Sequence, residues 1–123
     1  MPTEPHDPTL AEVVRHAVKV SELGPLDEPV EDLERRFEDA DEPVTAVADL
    51  ALRVDEQLGA IDPDWEDSGS LSIVRSLIVY LAHRRDELDA EPARVLRLAA
   101  RAEYQGDPPP HVRDWLEQAG VEL

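Results

Sequence analysis

Three observations predict an all-α fold, a single-domain bundle of five to six short helices. Apolar residues recur at i, i+3, i+4 and i+7 along most of the chain. Proline and glycine bracket those stretches, proline at their starts and glycine just past their ends. No segment alternates apolar and polar residues as a half-buried strand would. At 123 residues the length suits one domain. Residues 1–8 are expected as a flexible N-terminal tail and residues 9–123 as the helical domain.

The first pattern, about 9–23, carries Leu10, Val13, Val14, Ala17 and Val18 on one face, with Thr9 and Glu12 spaced as a capping box. Gly24-Pro25 stops it. The second, about 29–40, places Val30, Leu33 and Phe37 together and is otherwise densely charged. The third, about 43–58, opens at Pro43, has Val44, Val47, Ala48, Ala51, Val54 and Leu58 as its stripe, and is expected to end before Gly59. An acidic loop then holds Trp65 among Asp62, Asp64, Glu66 and Asp67, and Asp67 or Ser68 is placed to cap the helix that follows.

The fourth pattern starts near residue 70 and reaches about Leu88. Its first half is apolar nearly all round, as in a buried central helix. Its last part, His83-Arg84-Arg85-Asp86-Glu87, is expected to project into solvent. The fifth runs from Pro92 to about Gln105 and packs through Leu96, Ala99 and Ala100. The sixth, about 109–119, turns Val112, Trp115 and Leu116 inward. Residues 70–105 thus form a central hairpin, with the first three helices wrapped around it and their acidic faces outward.

Composition excludes several classes. There are 12 basic and 29 acidic side chains, a net charge of −17, which argues against coating nucleic acid or anionic lipid by bulk charge. With no cysteine, disulfides, thiolate zinc sites and cysteine nucleophiles are ruled out. Val, Leu, Ile, Phe and Met total 33 residues, above the roughly 20% floor for collapse of a charged chain. The bases are 11 Arg and one Lys, and the whole composition resembles that of halophilic cytosolic proteins, whose repulsion is screened by salt, with a high-GC bacterium as the alternative source. Met1–Pro5 shows neither a basic region nor an apolar run, and the apolar stretch 71–82 is shorter than the about 20 residues of a membrane helix. A cytoplasmic protein is expected.

No chemistry-bearing motif emerges. His6, His16, His83 and His111 are scattered, so no metal site is expected. Aligning the acidic loop to a calcium-binding loop from Asp64 puts Arg75 where the bidentate carboxylate belongs. Ser68-Gly69-Ser70-Leu71-Ser72 lacks the second glycine of a nucleophile elbow. No phosphate loop or dinucleotide fingerprint occurs, and no cofactor and no catalytic residue are expected.

The charge is segregated. Residues 1–69 hold 20 acids and five bases, whereas residues 70–123 hold nine acids and seven bases. Arg94, Arg97 and Arg101 share a face of the fifth helix, with Arg84 and Arg85 near the preceding turn. These five arginines and Trp65 are the candidate partner-binding residues; the competing account is that the arginines pair with the acidic first three helices and thereby hold the bundle together. The sequence therefore suggests a noncatalytic interaction or regulatory module that binds another protein or a second copy of itself. An accessory nucleic-acid-binding role through Arg94, Arg97 and Arg101 is the alternative, and an enzyme without a recognisable motif ranks third. A helix-turn-helix made by the last two helices fits poorly, because the turn 106–110 is stiff and anionic and Arg113 is offset by Asp114 and Glu117.

Overall fold

A computed structural model describes residues 8–25 and 28–122. Six α-helices follow in order: α1 (Leu10–Ser21), α2 (Glu28–Arg36), α3 (Leu50–Ile61), α4 (Gly69–His83), α5 (Pro92–Tyr104) and α6 (Pro110–Gln118). Single 3-10 turns lie at Val44–Ala46, Trp65–Asp67 and Arg85–Glu87. Among the described residues the sole β-type pairing is an isolated bridge between Thr9 and Pro43. The all-α bundle is as the periodicity predicts, and buried apolar side chains from every helix join in one cluster.

α4 is the axis. It packs against all five other helices and buries Leu71, Ile73, Val74, Leu77, Ile78 and Leu81, as an all-round apolar helix must. The expected α4–α5 centre needs correction: α1 packs on α4 at least as extensively as α5 does, and eight of its 12 residues are buried. Small residues such as Ala11, Ala17 and Ser21 let its backbone lie close, so α1 is part of the core rather than a wrapping layer.

The start of α1 explains a second correction. Its free amides need acceptors. Glu12 N–H donates to Thr9 Oγ1 at 3.1 Å, the first half of the predicted capping box. Leu10 and Ala11 N–H instead donate to the carbonyls of Glu42 and Ala40, each at 3.0 Å, and Val44 N–H donates to Pro8 O at 2.9 Å. Residues 40–44 are thus spent capping α1. The continuous helix expected over 43–58 is replaced by a 3-10 turn, a break at Asp49 with φ 50°, and α3 from Leu50. Ala48, expected inward, is exposed. The expected tail of residues 1–8 falls outside the described residues except for Pro8, which is buried and accepts from Val44 N–H.

Three other boundaries move. α2 ends at Arg36, and Phe37 and Ala40 stay in the core on the turn that follows. α3 runs through Gly59 to Ile61; one helical glycine costs about 1 kcal/mol, and the stop comes at extended Asp62, ahead of Pro63. α4 ends at His83, five residues early, because residues 85–87 turn back and bury Glu87. Of the segment expected to project into solvent, His83, Arg84, Arg85 and Asp86 are exposed and Glu87 alone is not.

Candidate functional site

The sequence-predicted residues part into three groups. Arg84 and Arg94 converge on Glu87, whose side chain is only 7% exposed. Arg94 Nη2 and Nε donate to the two carboxylate oxygens at 3.3 and 3.4 Å, and Arg84 Nη2 adds a contact at 3.4 Å. Arg84 also grips Asp86 with two bonds of 3.2 Å; that bonding raises the guanidinium pKa and lowers the Asp86 carboxyl below its ordinary range. Here the arginines pair within the molecule, but with acids of the adjacent turn rather than with the first three helices that the competing account names. Arg85 Nη1 donates to Ala82 O at 3.0 Å and so caps the end of α4.

Arg97 and Arg101 form the second group. Both are exposed on α5 and neither forms an ion pair with any described residue. The helix itself explains why. One turn before and after them stand Ala93, Leu98, Ala100, Tyr104 and Gln105, so no acid is at helical reach.

Trp65 is the third. It is half-buried against the core on a 3-10 turn fixed from below by Ser72, whose hydroxyl reaches the carbonyls of Glu66 at 3.2 Å and Trp65 at 3.4 Å. Ser68, as predicted, caps α4 by accepting from Leu71 N–H at 3.3 Å. Trp65 lines a groove of about 450 Å³ between this turn, α3, α4, α5 and the start of α6.

The groove was not foreseen as a unit. Its centre is Arg75, on the buried helix. Nε donates to Asp55 Oδ1 at 3.0 Å, Nη2 to Asp55 Oδ2 at 3.4 Å, and Nη1 to Glu103 Oε1 at 2.6 Å. Burial acts against this cation, but the hydrogen bond it donates to Asp55 and the charges of Glu103 and Asp55 outweigh it and raise its pKa. Tyr104 lines the same groove; burial pushes its phenol up, and bonding to Ser76 and Ser72 only partly offsets that. The one available signal was a lone arginine inside the most apolar stretch, which requires acids on neighbouring helices; nothing in the spacing says which acids.

α6 closes the groove's far end through Pro109 and His111. Its approach depends on Gly69, where a Cβ would lie 2.8 Å from His111 O and 3.0 Å from Trp115 Cβ. Trp115 in turn lies against Gly24 and donates its Nε1–H to Pro25 O at 2.8 Å. The glycine read as a helix stop is therefore also the seat of an indole. Nε2 of His111 is buried without a hydrogen-bond partner among the described residues.

Among the described residues no group of three or more His, Asp or Glu is placed to hold a metal ion, and no helix is long and apolar enough to cross a membrane. Comparison with protein-family models, curated proteins and solved structures returns no match to this chain.

Proposed function

We propose that the protein is a noncatalytic interaction module whose α5 face, centred on Arg97 and Arg101, docks on an acidic surface of another protein. One observation carries this reading. In a chain with 29 acids and 12 bases, these two neighbouring arginines stay exposed and without an acidic partner among the described residues. Arg36, Arg53, Arg75, Arg84, Arg94 and Arg113 each pair with a carboxylate. The other exposed bases without an ion pair differ, because Arg15 and Lys19 lie between Glu12 and Glu22 along one row of α1, and Arg35 has Glu31 and Asp32 one turn before it on α2. The acid-rich, lysine-poor composition supports a cytoplasmic setting in a salt-adapted cell.

The nucleic-acid alternative is weaker, because Arg94 is engaged by Glu87 and two free cations neutralise few phosphates against a net −17. The test compares wild type with Arg97→Glu/Arg101→Glu by isotope-labelled cross-linking in native extract and by titration of duplex DNA across salt. A stoichiometric partner cross-linked through α5 and lost in the variant supports the proposal. Duplex binding that the variant abolishes, or an identical cross-linking pattern for both proteins, overturns it. Sedimentation of the pure protein tells a second copy from a different partner.

A further inference from the structure

We propose that the groove between residues 44–51 and the C-terminal half of α4 is a self-association surface, occupied by a second copy of this chain. It uses neither Arg97 nor Arg101 and goes beyond the docking reading. The groove measures about 480 Å³, with Val44, Val47, Leu50 and Ala51 on one side and Val79 and Ala82 on the other. Val47, Leu50, Ala51 and Val79 are only half-buried. Leu52, the next residue of α3, is 58% exposed. A knob therefore stands beside a hole, and an isologous contact needs both on one face because each copy supplies each.

Two features select a second copy over a different partner. The first is charge placed in complement across the groove. Asp49 stands where α3 begins and Arg85 just after α4 ends, and both line the groove. A two-fold contact sets residue i of one copy against j of the other, and j against i. One acid and one base on opposite walls thus become two ion pairs, Asp49 to Arg85 in each direction. Asp49 is exposed; its side chain makes no cap bond and forms no ion pair with any described residue. Arg85 is positioned by its bond to Ala82 O, and a guanidinium with one partner still takes another acid, as Arg75 does with Asp55 and Glu103. The second feature is net charge. Two chains of −17 repel each other, and contact is least opposed where the lining carries no excess. Here one acid meets one arginine. The Trp65 groove sets four acids against one arginine, and the cleft beside α2 three against one.

Sedimentation velocity over a concentration series tests it, in potassium chloride at about 0.1 M and about 1 M, where the Debye length falls from about 10 Å to about 3 Å. A monomer–dimer equilibrium that tightens with salt is expected, because screening removes the repulsion between copies and leaves the apolar contact. Docking of Arg97 and Arg101 on an acidic partner has the opposite salt dependence, so the two readings fail separately. Leu52→Glu, on an exposed position, is expected to weaken the dimer about a hundredfold, since both copies lose a knob. Arg85→Glu alone and Asp49→Lys alone are each expected to dimerise about tenfold more weakly. An equimolar mixture of these two variants should regain the lost affinity, since every like-charged contact becomes an opposite one. A chain that stays monomeric in molar salt, a dimer that Leu52→Glu leaves intact, a mixture no tighter than its components, or a dimer lost in Arg97→Glu/Arg101→Glu in molar salt overturns the proposal.

Discussion

Two charge clusters flank α4, and they are built in opposite senses. Near its C-terminal end one buried acid, Glu87, is held by two arginines; in the groove one half-buried arginine, Arg75, is held by two acids. In both the central residue is hidden and its partners reach toward water, with Glu87 at 7% and Arg75 at 17% side-chain exposure. Their reach differs. Arg84, Glu87 and Arg94 clasp the turn between consecutive helices, whereas Asp55, Arg75 and Glu103 tie α3, α4 and α5 together across 20 and 28 residues of sequence. The contacts of Arg75 are also shorter, 2.6 and 3.0 Å against 3.3 and 3.4 Å. Local charge here shapes a corner, while long-range charge joins helices. In a strongly acidic chain the scarce arginines do both, while Arg97 and Arg101 stand with no acid at helical reach.

The groove end of α4 depends on packing as well as charge, and removing that packing should produce the largest effect. Trp115→Ala strips an indole that is 4% exposed and bonded to Pro25, so a stability loss of about 4 kcal/mol is expected in denaturant titration. Gly69→Val pushes against His111 O and Trp115 and is expected to lose about 2 kcal/mol by overpacking. Both variants should also move the Trp65 resonance, since α6 closes the groove beside it. If Trp115→Ala leaves stability within about 1 kcal/mol of wild type, this end of α4 is not held by α6.

How much of this was legible in the sequence follows the same division between local and distant. The stripe of α1, the extents of α5 and α6 and the Ser68 cap were all readable, because each rests on residues within a few positions of one another. The false helix start at Pro43 came from a rule that ignores where backbone donors elsewhere must go; amides of α1 some 30 residues back claimed that segment. Glu87 was misread as solvated because the four residues before it are all polar, and its pairing with Arg94 comes from seven residues on. Of the groove, Trp65 stood out by contrast with the acids around it and Arg75 as a lone cation in the most apolar stretch. Asp55, Glu103 and His111 look like any other surface residues until the bundle brings them to Arg75.

Arg75→Met and Glu87→Gln sharpen the contrast directly. Arg75→Met leaves two carboxylates, each about a third exposed, facing one another without their cation, and should lower stability by about 1–2 kcal/mol. Glu87→Gln keeps the shape and frees two well-exposed arginines to water, so its effect should be the smaller. Salt separates the two further. Screening acts most on exposed charge, so molar potassium chloride should erase the Glu87 effect while part of the Arg75 effect remains. An equal loss for both variants, or one with the same salt dependence, would show that reach across the fold does not matter.

The smallest effect is confined to alkaline pH. Burial raises the Tyr104 phenol above its ordinary 10.0, so between the unfolded and folded values the native state holds a proton that the unfolded chain has released. Stability is then fully present below about pH 10 and falls as pH rises through the folded value, with a slope bounded for one proton at about 1.4 kcal/mol per pH unit. Tyr104→Phe should flatten that limb and change little at neutral pH. Tyr80 is raised as well, by burial and then by Glu87, so a residual slope in Tyr104→Phe should shrink when Glu87→Gln is added. That coupling links the pH limb to the Glu87 corner through Tyr80 and to the Arg75 groove through Tyr104. A limb unchanged in Tyr104→Phe would place the titrating phenol at the corner alone.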